Sequence, residues 1–83
     1  MTALQELPNI GKVVASQLNE VGIHTSEELT EVGSKEAFTR IKKIDSSACI
    51  NRLYGLEGAI QGIRWHNLSD GCKKDLKSFM KTI

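Results

Sequence analysis

Apolar residues recur along most of the chain at intervals of three and four, the spacing that places them on one face of an α-helix. The clearest stripes are Val14, Leu18 and Val21, then Cys49, Leu53, Leu56 and Ile60, and finally Cys72, Leu76, Phe79 or Met80, and Ile83. The alternating pattern typical of β-strands has little support. We therefore predict an all-α fold, a small compact bundle of five or six helices forming one domain over residues 1–83.

Helix-capping and helix-breaking residues mark where each predicted helix begins and ends. Pro8 ends the first helix because the residue before a proline is pushed out of the α-helical region. Thr25 and Glu28 have the spacing of a capping box, and Gly22 and Gly33 close the helices that they follow. The predicted helices run from about Thr2 to Leu7, Gly11 to Val21, Thr25 to Val32, Ser34 to Lys43, Ser47 to Gln61, and Asn67 onward, with Ser34 and Asp45-Ser46-Ser47 as further N-caps.

The turn Leu7-Pro8-Asn9-Ile10-Gly11 resembles that of the helix-hairpin-helix motif, which is usually glycine, an apolar residue and glycine. Asn9 replaces the first glycine, and asparagine tolerates the left-handed backbone conformation. In that motif, free amides and the positive end of a helix dipole bind a DNA phosphate without reading bases. The resemblance implies a helix-hairpin-helix-like (SAM-like) N-terminal half and phosphate contacts at Asn9, Ile10, Gly11, Lys12 and Val13.

The same turn also has a purely structural interpretation, in which Ile10 fills the core and Gly11 lets two helices approach closely. Residues 1–31 hold five glutamates and one lysine, Lys12. Because non-specific DNA affinity depends on the number of neutralised phosphates, we expect any binding here to be weak. The lysines that could add to it, if the fold brings them to the same side, are Lys42, Lys43, Lys73, Lys77 and Lys81.

A short pattern of leucine, valine or isoleucine, glycine and alanine occurs twice, from Leu7 to Ala15 and from Leu29 to Ala37. We interpret the two copies as helix-turn-helix units packed about a pseudo-twofold axis. The second copy is expected to be the poorer phosphate site, because Glu31 takes the position of Asn9 and Glu36 follows.

The stretch LYGLEGAIQG, at the end of the longest predicted helix, holds three glycines, Gly55, Gly58 and Gly62, and each costs a helix about 1 kcal/mol relative to alanine. Gly55, Ala59 and Gly62 fall on one face at spacings of four and three. A face without large side chains lets another backbone approach, which favours a tight crossing within the chain. The alternative is that these three residues form a homodimer interface.

Catalytic and metal-binding motifs have no support in the sequence. His24 and His66 have no nucleophile or metal partner nearby, and Cys49 and Cys72 are isolated thiols that we expect to be half-buried. There is no glycine-rich phosphate loop, no secretory signal pattern and no apolar segment long enough to span a membrane. We therefore predict a cytoplasmic protein that is not an enzyme and has no cofactor, metal, small-molecule substrate or membrane association.

Two stretches resemble the C-terminal domain of TfoX (Sxy) proteins, regulators of natural competence for DNA uptake. They are LPNIGKVVASQLNEVGIHTSEELTEVGSKEAFTRI and LYGLEGAIQGIRWHNL, and the second is the more specific. The resemblance implies an all-helical domain linked to DNA transformation or its transcriptional control. It implies no catalytic residues.

The sequence leaves two functions open. The preferred one is a non-catalytic module that contacts DNA phosphates weakly through residues 9–13. The alternative is a protein-interaction or dimerisation module that uses the same fold without touching DNA. The turn and the family resemblance favour the first, whereas the acidic N-terminal segment favours the second.

Overall fold

The computed structural model describes residues 4–82, which form five α-helices and two short 3-10 helices without any β-strand. The α-helices are α1 (Lys12–Glu20), α2 (Ser26–Val32), α3 (Ser34–Ile44), α4 (Ile50–Gln61) and α5 (Asp70–Met80), and the 3-10 helices span Leu4–Glu6 and Trp65–Asn67. The predicted all-α class is confirmed. The predicted start of the first helix at Thr2 and the inward position of Ile83 lie outside the described residues. None of the helices in residues 4–82 is long and apolar enough to cross a membrane.

The core lies around α4, which packs against α2, α3, α5 and the second 3-10 helix. Its largest fully buried side chains are Phe38, Leu18, Ile23, Leu29, Ile41, Leu53, Leu56 and Leu76. Each such side chain contributes about 1.5–3 kcal/mol by leaving water. These residues come from every α-helix and from the α1–α2 loop, so the helices depend on one another for burial.

Side chains cap two of the helices, α2 at the predicted Thr25 and α5 at Ser69, so that α5 begins at Asp70 rather than at the predicted Asn67. The Glu28 N–H donates to Thr25 Oγ1 (3.1 Å) at the start of α2, and the Cys72 N–H donates to Ser69 Oγ (3.1 Å) at the start of α5. Gly22 follows α1 with a φ of 87°, the left-handed conformation expected of a residue that closes a helix.

The start of α4 differs from the prediction by three residues. The helix begins at Ile50 rather than Ser47 because Asp45 does not cap it. Asp45 Oδ1 instead accepts from the Ser47 N–H (3.0 Å) and from the Ser47 hydroxyl, which makes a local turn. The N-cap is Cys49, whose side chain is exposed rather than half-buried.

The start of α3 also differs from the prediction. Gly33 occupies the N-cap position, and Ser34 is the first helical residue, so Ser34 is not the cap. Its hydroxyl donates to Glu57 Oε1 (2.6 Å) on α4 instead. This bond ties α3 to α4. It also places the Glu57 carboxylate at the turn of the second copy of the repeat.

Candidate nucleic-acid interface

The turn before α1 combines a left-handed asparagine with a buried isoleucine. Asn9 has a φ of 68° and is the one non-glycine residue with positive φ in residues 4–82. Ile10 is 6% exposed, so its predicted place in the core is confirmed. Its N–H donates to the Leu7 carbonyl (3.3 Å). Ile10 therefore anchors the turn, and its amide is not open to a phosphate.

The first turn of α1 leaves its backbone amides open. Gly11 is the N-cap, with an extended backbone and no side-chain capping bond. The amides of Gly11, Lys12 and Val13 have no hydrogen-bond partner among the described residues, and all three residues are exposed. Such amides, together with the helix dipole, amount to roughly half a positive charge at the helix start. The arrangement suits an anion.

The side chain of Asn9 is engaged within the chain. Its Nδ2 donates to the carbonyl oxygens of Ile63 (3.0 Å) and Gly55 (3.4 Å), and its Oδ1 accepts from the Trp65 N–H (3.2 Å). We call this set of hydrogen bonds the Asn9 clasp. It joins the turn to α4 and to the segment after α4, so the Asn9 side chain is not available to a phosphate.

Two glycines of α4 make room for the Asn9 clasp. Gly55 and Gly58 are buried, and a Cβ on Gly58 would lie 2.7 Å from Asn9 Nδ2. The close approach that the glycines predict is thus made to a turn rather than to another helix. Gly62 does not belong to this strip, because it is exposed and ends α4 with a φ of 76°. Since Gly55 and Ala59 are covered by the chain itself, a homodimer interface on them would require the fold to open.

An open cleft of about 350 Å³ lies between the turn and the start of α4. We call it the turn cleft. It is lined by Asn9 and Ile10 on one side, by Arg52 of α4, and by Arg64 and Trp65 from the segment after α4. None of the described carboxylates lines it. The residues near the turn in the sequence are acidic. The fold nevertheless places two arginines from the later half of the chain beside the turn.

The two arginines differ in how their charges are compensated. Arg52 donates to Asp45 Oδ2 (2.9 Å) and to Gln17 Oε1 (3.0 Å). Hydrogen bonds from Ser47, Arg52 and Gln17 hold the pKa of Asp45 well below its ordinary value, so this carboxylate is charged and neutralises Arg52. Arg64 is exposed and has no ion-pair partner within residues 4–82. Its charge is therefore free to attract an anion.

A second helix start lies at the turn cleft. Cys49, the N-cap of α4, makes no side-chain capping bond and lines the turn cleft together with Asn51. The positive ends of α1 and α4 therefore both contribute to the potential at this surface.

The second copy of the repeat has a different turn. Gly33 is left-handed, with a φ of 91°, whereas the aligned Gly11 is extended. At this turn the Ser34 hydroxyl is bound to the Glu57 carboxylate, which also accepts from Gln61 Nε2 (2.7 Å). The chain thus supplies its own negative charge at the second turn, while the first turn is open to an anion from outside.

A family model for the TfoX C-terminal domain matches residues 1–80. This chain belongs to the TfoX C-terminal domain family. Its structure is similar to that of an uncharacterized protein from Listeria monocytogenes in a triclinic crystal form, with a TM-score of 0.96 and 56% identity over 98% of this chain and 92% of that one. It is also similar to a protein of unknown function from Listeria monocytogenes in a tetragonal form, with a TM-score of 0.92 and 57% identity over 95% of this chain and 98% of that one. No match was found among curated proteins.

In this TfoX C-terminal domain, the two stretches that carry the family resemblance pack against each other. The first contributes Asn9, and the second contributes Gly55, Gly58 and Trp65. The glycines that appear inconsistent with a helix in the sequence are therefore explained by the turn that they accommodate.

Sequence reasoning missed the contribution of Arg64 and Trp65 to this TfoX C-terminal domain. The available signal was the succession of a cation, an indole and an imidazole at residues 64–66, which begins three residues after the last residue of α4. That signal becomes informative only with the hydrogen bond from the Trp65 N–H to Asn9, which places the segment at the turn.

The five lysines expected to support DNA binding are not brought to one side of the fold. Lys42 Nζ donates to two carbonyl groups of the α3–α4 loop (2.9 and 2.8 Å), so it holds that loop, and Lys43 beside it is exposed. Lys77 and Lys81 line a separate apolar groove beside α4. Lys73 Nζ donates to the His66 carbonyl oxygen (3.4 Å), and Lys73 is the one of the five that the fold brings beside Trp65.

Proposed function

We propose that this TfoX C-terminal domain is a non-catalytic module that binds the phosphate backbone of DNA at the start of α1. The process in which it acts is competence or DNA transformation. The single observation that carries the proposal is the set of open amides of Gly11, Lys12 and Val13, which directly follow the turn residues that line a cleft with Arg64 and no described carboxylate. Membership of the TfoX C-terminal domain family supports the link to competence.

The proposed contact needs no base reading. Amide hydrogens at the start of α1 donate to phosphate oxygens, and the positive ends of α1 and α4 favour the negative charge. Lys12, next to the open amides, and Arg64, which lines the turn cleft, supply two positive side chains that have no ion-pair partner among the described residues. Arg52 is not counted, because Asp45 already neutralises it.

Two neutralised phosphates set the expected strength of binding. The logarithm of the association constant should fall with the logarithm of salt concentration with a slope of about −2 on duplex DNA. Affinity should lie at the weak end of non-specific binding, with a Kd of roughly 10⁻⁴ M at physiological salt. Binding should therefore be measured first at low salt.

Fluorescence anisotropy of a labelled duplex, over a series of salt concentrations, tests the proposal. Lys12→Glu should weaken binding, and Lys74→Glu is the matched control because it makes the same charge change at an exposed residue that lines none of the clefts described above. Equal effects of the two variants, or no salt-dependent binding by the wild type, would contradict phosphate binding at the turn.

A second pair of variants separates the amide from the lysine charge. Lys12→Gln and Lys12→Pro both remove the charge, but only proline also removes the backbone N–H. Proline is favoured at the first position of a helix, and the extended Gly11 before it is compatible with a following proline, so α1 should remain intact. We expect Lys12→Pro to bind more weakly than Lys12→Gln.

A specific surface favours the alternative of a protein-interaction module. Ile50, Tyr54 and Met80 form an apolar groove of about 320 Å³ between α4 and α5, bordered by Lys77 and Lys81. If the module binds a second copy of itself there, light scattering should give a mass that rises with concentration from 9.2 kDa toward twice that value. The same protein would then show no binding to duplex DNA at low salt.

A further inference from the structure

Three rings, Tyr54 on α4 and Trp65 and His66 after it, stack in succession. The Tyr54 and Trp65 ring centroids are 6.0 Å apart with planes inclined by 15°, and the Trp65 and His66 centroids are 4.1 Å apart with planes inclined by 27°. We call this arrangement the ring stack. It holds two of the four phenylalanine, tyrosine and tryptophan residues of the chain and one of its two histidines.

The ring stack lies beside the proposed phosphate site. The Asn9 clasp holds the Trp65 N–H at 3.2 Å, and Trp65 lines the turn cleft with Arg64. Lys73 Nζ lies 6.0 Å from the centroid of the Trp65 ring, close to the limit of a cation–π contact. A stacking surface is therefore combined with positive side chains.

Core packing does not account for the outer end of the ring stack. Leu68 is the buried residue of this segment, at 4% exposure, whereas His66 is exposed and Trp65 is only partly buried. One face of the imidazole lies on the indole, and no other described ring lies on the imidazole. An outside ring can continue the stack there.

We infer that the nucleic acid taken by this site has unpaired bases, one of which stacks on the outer end of the ring stack at His66 while its backbone lies at the start of α1. This inference rests on the proposed function. Bases within a duplex are already stacked on their neighbours and cannot lie on a protein ring, whereas a single strand offers its base faces. Stacking of this kind tolerates any base, so it adds affinity without sequence preference.

Anisotropy with a labelled single strand, its duplex and an abasic strand of equal length tests the inference. The single strand should bind more tightly than the duplex, whose bases are paired and stacked. It should also bind more tightly than the abasic strand, which has the same phosphates but no bases. The chain has one tryptophan, Trp65, and its ring is stacked on the His66 imidazole, so binding of a base to His66 should also change its fluorescence. His66→Ala should weaken single-strand binding roughly tenfold, as loss of one base stack does, and leave duplex binding unchanged.

Two further variants control this test. His24→Ala removes the other histidine, which is exposed and bonded to Asn19, and it should have no effect. His66→Phe keeps an aromatic ring at this position and should retain single-strand binding. Equal binding of single strand, abasic strand and duplex would overturn the inference while the phosphate site stands. No binding of any of the three at low salt would overturn both.

Discussion

Replacing Gly58 with alanine tests the packing of the turn against α4. A Cβ on this residue would lie 2.7 Å from Asn9 Nδ2, 2.8 Å from the Ile63 carbonyl oxygen and 3.2 Å from the Trp65 nitrogen. The last two are backbone atoms, so rotating a side chain cannot relieve the overlap. Either the segment after α4 moves away, or Asn9 loses its hydrogen bonds.

Two opposing effects decide how far Gly58→Ala changes the free energy of unfolding. Alanine is favoured over glycine inside a helix by about 1 kcal/mol. Against this, inserting a methyl group into a packed contact costs about 1–3 kcal/mol, and each hydrogen bond of the Asn9 clasp that is lost costs about 1 kcal/mol more. We expect the free energy of unfolding to fall by about 2 kcal/mol in total. This lowers the melting temperature by about 8–16 °C in a domain of this size.

Thermal and urea unfolding, followed by circular dichroism, measure the loss. Gly71→Ala is the matched control, because Gly71 lies in α5 and a Cβ there meets nothing within 4 Å. It should stabilise the protein by up to about 1 kcal/mol. The stability of Gly55→Ala should lie between those of Gly58→Ala and Gly71→Ala, since its Cβ would make an ordinary contact at 3.4 Å with Asn9 Cβ.

A Gly58→Ala variant that melts at or above the wild-type temperature, while Gly71→Ala shows its expected gain, would refute the reasoning. A double-mutant cycle with Asn9→Gly gives a second check. Removing the Asn9 side chain removes one of the overlaps, so Gly58→Ala should cost less in the Asn9→Gly background than in the wild type.

Two other predictions concern the surroundings of the turn. Asn9→Ala should destabilise the chain more than Asn9→Gly by about 1–2 kcal/mol in urea unfolding, because only alanine is strained at a φ of 68°; equal values would show that this backbone conformation carries no strain. The pKa of Asp45 is lowered in the folded chain, so its charged form stabilises the fold above the ordinary carboxyl pKa of about 4, and that contribution is lost as the pH falls. Asp45→Asn should therefore be less stable at pH 7 and lose less stability on acidification, and parallel pH profiles for the two proteins would contradict this.

Local interactions explain the parts of the fold that were predictable. The Thr25 hydroxyl and the Glu28 N–H are three residues apart, and the left-handed Gly22 lies two residues after the last residue of α1. The predicted start of α4 was wrong because the local sequence there is compatible with two structures. Asp45 and Ser47 could form either a cap or a turn, and Asp45 has partners outside this segment, Gln17 on α1 and Arg52 on α4.

The candidate site was predictable only in part. The turn, its left-handed Asn9 and the open amides at Gly11 and Lys12 follow from the residues present. The sequence neighbours of the turn are acidic, and they suggest a repulsive surface. The fold places Arg64 there instead, and its sequence distance from the turn concealed this.

The sequence by itself determined the all-α class, the helix periods and the conformation of the turn, because caps, glycines and apolar spacing act over a few residues. Only the tertiary structure decided that Asn9 faces inward and that Arg64 and the ring stack flank the turn. The hydrogen bonds responsible join residues 46, 54 and 56 positions apart. No pattern within one segment encodes such contacts, because they exist only once several helices have buried their apolar faces together.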